Sequence, residues 1–407
     1  MKSKSKKDNI SQLIGAAMLM ATSAVGPGFL TQSATFTATY LGSLALIIVC
    51  VICMDMITQV NVWSVIGVSG LHAQDLANKV CPGLGYIIAA LVASGGLIFN
   101  IANVGGISLG FSAMLGLPLK IGCVFGGALA ICVFLSKHAN KGMDRLTQIL
   151  ACVIVLAALI VAISTKPPVG EIAANFFNIE DPTDMFLPMI TILGGSGGGY
   201  ISFAGVHRLL DADIKGVENV HSIRKSVLLG TSVSGCVRLL MFLATYGVCV
   251  AGGTAAAEAI INAENPAAQT FYLALSTLGY KIFGLVLFCA SLSSVVGAAY
   301  TSVSFLKTLH PKISLHEKSV TISFIAVSTI IMTAFGGASK LLVAAGAING
   351  LILPITLSIV LIAGNKKEIV GKDYHHSRFL TIAGVIIIAF TLYAGIISIS
   401  NLFSMLS

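Results

Sequence analysis

The sequence predicts an all-α polytopic membrane protein of about eleven transmembrane helices, arranged as a five-plus-five inverted repeat with broken helices one and six. Three observations carry this. The 407 residues are 56% hydrophobic and only 10% charged, with a mean hydropathy of +0.95, whereas a soluble domain carries about 25% charge. Apolar runs long enough to cross a bilayer, about 20 residues each, recur along the whole length. Two of those runs are interrupted by dense glycine at matching places in the two halves.

Taken in order, the expected spans are 10–36 (broken), 41–64, 84–115, 118–136, 143–165, 185–210 (broken), 227–251, 281–306, 320–335, 341–364 and 379–403. A Lys-rich start, an apolar run and Ala21-Thr22-Ser23-Ala24 resemble a secretory signal. The run continues into a glycine break rather than a soluble start, so it reads as the first span. A broken span followed by four more occurs twice. The repeats are therefore expected over 10–165 and 185–364, within one transporter-type domain over 1–407, with 379–403 as an accessory helix. The connections are short and leave no room for a separate soluble domain.

The breaks are Ser23-Ala24-Val25-Gly26-Pro27-Gly28-Phe29 and Leu193-Gly194-Gly195-Ser196-Gly197-Gly198-Gly199-Tyr200. Lipid offers no partner to a freed backbone N–H or C=O, so such a break persists only where it is buried in protein or lines a cavity. A pair in corresponding positions is the sequence pointer to the midplane binding site of an inverted-repeat carrier.

The net charge of +8 reads as topology and not as affinity for nucleic acid. With the N-terminus in the cytoplasm, Lys120, Lys166 and Lys340 fall outside, and Arg238 and Lys281 fall in or near spans. The other Lys and Arg residues, Lys2, Lys4 and Lys137 among them, fall on the inner side, as the positive-inside bias requires. The acidic loop 171–184 then lies outside, and an odd number of spans puts the C-terminus outside, in a plasma membrane. The nine cysteines form no loop framework. Cys50 and Cys53 lie in an apolar helix and read as packing. No HExxH, GxSxG or nucleotide-binding loop is present, and the glycine run 194–199 lacks a following Gly-Lys-Ser/Thr. Neither an enzyme nor an ATP-driven pump is expected, and no cofactor or bound structural metal.

Several segments resemble one family. Met54-Asp55-Met56-Ile57-Thr58-Gln59 through Gly70, Gly105-Gly106 through Gly116-Leu117-Pro118-Leu119, Ala290-Ser291-Leu292-Ser293-Ser294-Val295-Val296-Gly297, and Ile352-Leu353-Pro354-Ile355 with Asn365-Lys366-Lys367-Glu368-Ile369-Val370-Gly371 occur in the order found in the NRAMP divalent-metal transporters. The resemblance implies a leucine-transporter-like fold and secondary active transport by alternating access. It also exposes departures. The family's first broken helix carries Asp-Pro-Gly-Asn, whose Asp and Asn ligate metal; here the place reads Gly26-Pro27-Gly28-Phe29. The family's Met-Pro-His on helix six is matched by Tyr200-Ile201-Ser202. The third-helix acids are matched by Asn100 and Asn103, and His207 matches a second family histidine. The family's usual arginine is missing from span nine.

A dehydrated divalent cation needs anionic or strong oxygen, nitrogen or sulfur ligands, and neither break offers Asp, Glu, His or Met. Each break does free backbone N–H groups at a half-helix start, which favours an anion. The expected solute site is Gly26, Gly28, Phe29, Gly197, Gly198, Tyr200 and Ser202 with Asn100 and Asn103. Phe29 and Tyr200 could equally be bundle packing. Asn100 and Asn103 could be interhelical hydrogen bonds, and Ser293 and Ser294 read as packing. Asp55 and Arg238 are the ionisable residues deep in spans and mark a buried pair or a titrating site; with His207 they are the candidates for ion coupling. His375 and His376 read as solvated. The expected cargo is a small organic solute, a carboxylate, coupled to H+ or Na+. The alternative is a divalent cation held by backbone carbonyls or partly hydrated.

Overall fold

In the computed structural model the described residues are 6–136, 139–174, 176–177 and 182–406. Lys2, Lys4, Lys137 and part of the acidic loop lie outside them. The helices in chain order are α1 (Lys6–Ala24), α2 (Pro27–Tyr40), α3 (Leu44–Ser69), α4 (Ala73–Val80), α5 (Leu84–Leu115), α6 (Leu119–Leu135), α7 (Ala139–Thr165) and α8 (Val169–Ala174). They continue with α9 (Phe186–Gly197), α10 (Ile201–Asp211), α11 (Val220–Ile261), α12 (Pro266–Leu306), α13 (Pro311–Leu315), α14 (Glu317–Phe335), α15 (Ala338–Asn365), α16 (Lys367–Val370) and α17 (Arg378–Leu406). Among the described residues no strand occurs.

Among the described residues, eight stretches are long and apolar enough to cross a membrane by length and composition alone. One of them, Pro27–Ser69, holds both α2 and α3; Leu119–Leu135 and Val155–Thr165 are shorter apolar helices. With α1 joined to α2 and α9 to α10 across their breaks, the helices make eleven rods in the expected order. Large apolar side chains stand exposed on the outer rods, among them Phe125, Ile163, Ile330, Phe379 and Ile396. In water that surface would be a liability, whereas in lipid it is the required exterior.

Two rods run further than the hydropathy pattern. α11 continues past Ala251 through a kink at Gly253 (φ 63, ψ −157), and α12 starts well before Lys281 with a kink at Leu275 and Ser276. The extra turns lie beyond these kinks, and Glu258 of α11 is the one charged residue among 252–261 and 266–280. The amphipathic α4, unmarked by hydropathy, links the second rod to the third and packs on α5 and α15.

Small residues set the packing distances of the inner rods. A side chain at Gly194 of α9 would collide with the backbone of Gly346 and Gly350 on α15. That close approach fixes α9 against α15. On the other flank Gly110 of α5 lies against the backbone of Phe288 on α12. These contacts place the two breaks side by side, enclosed by α5 and α12 on one side and α3 and α11 on the other.

The loop before α17 departs from its expected solvation. His375 is exposed, but His376 is half-buried. Its Nε2 lies 2.8 Å from Asn61 Oδ1 and its Nδ1 2.8 Å from the Tyr374 hydroxyl. Arg224 of α11 donates to that hydroxyl at 3.2 Å and to Ser64 Oγ at 2.9 Å. Asn61 in turn donates to Leu380 O at 3.1 Å, tying α17 to α3. Burial, and then the charge of Arg224, push the His376 imidazole down to about 4.

Candidate functional site

The first break follows from proline chemistry. α1 closes with Val25 N donating to Ala21 O at 2.9 Å. Gly26 is extended (φ −82, ψ −179), and Pro27, which has no N–H and a preset φ, opens α2. Leu30 N returns to Gly26 O at 3.2 Å. The last carbonyls of α1 and the first N–H groups of α2 therefore have no intrahelical partners and face each other with opposite partial charge. The second break is built by glycine. Gly198 is extended (φ −92, ψ 161), and Gly199 takes the left-handed region at φ 57, where a side chain would be strained. Ser202 Oγ donates to Gly197 O, steadying the start of α10.

On the side of α5 and α12 the walls are aromatic, amide and hydroxyl. Tyr200 is buried, edge-on to Phe99 with centroids 5.9 Å apart, and its hydroxyl interacts with the Asn103 side chain. Among the described residues, Ser302 Oγ and Ser294 Oγ are buried without hydrogen-bond partners. Ser302 lies against Gly96, beside Tyr200, and Ser294 lies against Gly26. Asn100 faces elsewhere: its amide donates to Ser328 Oγ on α14 at 3.1 Å. Although the two asparagines are one turn apart, only Asn103 reaches Tyr200.

The side of α3 and α11 is charged. Asp55, 5% exposed, accepts from Gln59 Nε2 at 3.4 Å, and its Oδ1 lies against Gly197. Arg238, 2% exposed, donates from Nη1 to Ile192 O at 3.2 Å. Its Cζ sits 4.4 Å from the centroid of the Phe29 ring. Asp55 and Arg238 interact electrostatically, yet among the described residues no direct ion pair joins them. Each instead grips a broken helix, and Phe29 is turned toward Arg238. From α15, Asn349 donates to Gly95 O at 3.1 Å and to Ala345 O at 2.9 Å, and its Oδ1 lies against Gly199. Gln32 of α2 donates to Leu342 O at 3.0 Å. Gln32, Gln59, Ser302 and Asn349 went unmarked by the sequence reading. Their only signal was being amides or hydroxyls inside apolar runs.

A cavity of about 760 Å³ opens on the face that carries the N-terminal end of α1. Its walls include Leu19 and Ser23 of α1, Ala204 and His207 of α10, and Ser293, Val296 and Gly297 of α12. His207, 6% exposed, accepts from Ala73 N at 3.1 Å and lies 4.7 Å from the His72 ring, which pairs with Asp211 at 3.4 Å. The inner end of this vestibule is one residue from Ser294 and three from Gly26. Broken helices facing each other at the end of such an opening are the arrangement of an alternating-access carrier.

A family model, Natural resistance-associated macrophage protein-like, matches residues 17–401. The chain belongs to the Nramp family. It is 46% identical over 391 residues to the uncharacterized membrane protein YcsG of Bacillus subtilis, covering 96% of this chain and 95% of that one. An uncharacterized membrane protein of Haemophilus influenzae is 43% identical over 398 residues, covering 96% and 98%. The fold is similar to the manganese transporter of Eremococcus coleocola, with TM-score 0.74 and 16% identity over 99% of this chain and 89% of that one. MhsT in complex with L-phenylalanine gives TM-score 0.65 at 15% identity, covering 96% and 98%. The leucine-transporter-like architecture is thus shared by an Nramp protein and by a protein holding an amino acid. Among the described residues of this Nramp chain, no group of three His, Cys, Asp or Glu is placed to hold a metal ion.

Proposed function

We propose that this chain is a secondary active transporter that moves a small organic solute, a carboxylate, by alternating access around the two breaks, coupled to H+ or Na+. The observation that carries the reading is the donor set between α2, α5, α10 and α12: a half-helix N-terminus, Tyr200, Phe99, Asn103, Ser294 and Ser302, with no carboxylate, imidazole or thioether among them. Backbone N–H groups at the start of α2 suit a carboxylate. The ring faces suit an organic body, and the amide and hydroxyls fix its orientation. In this reading Asp55 and Arg238 beside the breaks, and His207 in the vestibule wall, serve ion coupling. The domain is one unit, with repeats 10–165 and 185–364 and an accessory helix 379–403. It sits in the plasma membrane with a cytoplasmic N-terminus and an external C-terminus.

The Eremococcus coleocola neighbour, a manganese transporter, favours a second reading, a divalent cation as cargo. Such an ion would here rely on backbone carbonyls, amides and retained water. Melting of the purified protein against small carboxylates and against divalent metals separates the two, because a ligand stabilises the state it binds. A carboxylate should raise the melting temperature and manganese should not. Saturable, competitive manganese uptake at micromolar concentration in reconstituted vesicles would defeat the carboxylate reading.

A further inference from the structure

We propose that Arg238 of α11 sets the specificity of the carrier, the open edge of its guanidinium being the charge partner of the solute's carboxylate. This rests on the transporter reading given above and adds to it the side chain that selects an anion.

A guanidinium carries one positive charge and five N–H donors in a flat fork. That of Arg238 is 2% exposed and spends Nη1 on Ile192 O at 3.2 Å, while Nη2 is buried with no hydrogen-bond partner. Asp55 acts on it through charge alone. The Asp55 carboxylate is instead taken up by the Gln59 amide and the Ser196 hydroxyl. A buried cation with hydrogen bonds left unmade is costly. A carboxylate supplies both things it needs, negative charge and a pair of acceptor oxygens matched to the fork.

The place of Arg238 decides which carboxylate that is. Its Cζ lies 4.4 Å from the centroid of the Phe29 ring, and Phe29 belongs to the first turn of α2, where backbone N–H groups lack intrahelical partners. Gly28, just before it, looks toward the aromatic pocket. A Cβ built there would lie 3.5 Å from Phe99, the ring that stands edge-on to Tyr200. The start of α2 therefore runs between the guanidinium and that pocket. A solute with its apolar body against Phe99 and Tyr200 would direct its carboxylate to this turn, and a swing of the Phe29 ring would open Nη2 to it.

Counting charge gives a consequence. Arg238 and Asp55 together are neutral, so a carboxylate added beside them leaves one negative charge in a poorly solvated place. One cation must enter with each carboxylate, which is the stoichiometry of a symporter.

The test is melting of the purified full-length chain in detergent, at fixed pH and ionic strength, with acetate, L-lactate, cyclopentanecarboxylate and benzoate, each beside its primary amide. A carboxylate should raise the wild-type melting temperature saturably and its amide, of the same shape without the charge, should not. Arg238→Gln should weaken that carboxylate by about tenfold or more, the loss of a charge-assisted hydrogen bond. Arg238→Lys, which keeps the charge without the fork, should fall between. Asp55→Asn removes the neighbouring negative charge and should tighten carboxylate binding, an effect that a merely structural pair would not give. It keeps the test decisive even if Arg238→Gln proves hard to purify. Unchanged affinity in folded Arg238→Gln, or unchanged or weaker affinity in Asp55→Asn, overturns the role of Arg238 and leaves the solute reading standing. So does a wild type that answers a carboxylate and its amide equally. Saturable stabilisation by chloride that competes with the carboxylate and needs Arg238 would make this a halide site and overturn the role. A wild type that answers none of the four carboxylates removes the solute reading, and the role of Arg238 with it.

Discussion

Arg238 and Asp55 show how a buried charge is kept when no direct partner is at hand. The guanidinium is divided between a helical carbonyl and a ring face, and the carboxylate rests against a glycine with the Gln59 amide and the Ser196 hydroxyl as donors. Replacing Arg238→Gln removes the stacking on Phe29, worth about 2 kcal/mol in a desolvated setting, and leaves Asp55 without its opposite charge. Melting in detergent should show a lower temperature for Arg238→Gln and a partial recovery in Asp55→Asn/Arg238→Gln. A double variant no better than the single would mean that the two groups are not coupled. The Asp55→Asn variant also separates the coupling ions, since uptake driven by a sodium gradient should persist in it, while proton-driven uptake through Asp55 would be abolished. His376 gives a pH signature. Its ordinary value is 6.5 and the folded value is about 4, so the unfolded chain binds the proton more readily between them. The network's contribution is complete above 6.5 and is lost as pH falls toward 4. The groups facing this imidazole are Arg224, Tyr374 and Asn61. Melting temperature should fall more steeply on acidification in the wild type than in His376→Gln, and equal slopes would refute the assignment.

Among the elements, the broken helices were the legible part. Pro27 and the dense glycine of 194–199 mark where a helix in lipid gives way, so the sequence located both breaks, although α9 runs on through Gly197 and its break falls at Gly198 and Gly199. It could not show what they face. The hydrogen bond from Asn349 to Gly95 and that from Gln32 to Leu342 join residues far apart in the chain, and no local pattern encodes such pairings. Asn100 and Asn103 illustrate the same limit, because helical spacing put them on one face and the packing of α14 drew one away. The ends of α11 and α12 were lost for a different reason: they lie beyond the kinks at Gly253 and at Leu275 and Ser276, past the length that one span needs. The contact between α9 and α15 gives a prediction at this scale. Gly194→Val must push α9 off the Gly346 and Gly350 backbone, an overpacking cost of about 1–3 kcal/mol. It should lower the melting temperature and also reduce uptake of any solute the wild type carries, whereas Gly170→Val, with nothing around it, should do neither.

For the whole molecule, the topology proposed above puts the two ends of the chain on opposite faces, with the basic residues choosing which is which. In a cysteine-free background, a single cysteine at exposed Lys372 should react with an impermeant reagent only after permeabilisation. One at Gly170 should react in intact cells, and the reverse pattern would invert the molecule. The vestibule adds a sidedness of another kind. Its walls carry His72, Asp75, Arg208, Asp211 and Lys307, and toward the breaks they are Ser23, Ser293 and Gly297. A bulky zwitterionic compound would therefore find complementary charge at the entrance and no passage beyond it. Lodged there, it would act as a wedge, keeping the molecule in one half of its cycle. Its inhibition should be competitive toward solute offered from the vestibule face and noncompetitive toward solute offered from the opposite face, a kinetic asymmetry that vesicles of defined orientation can resolve.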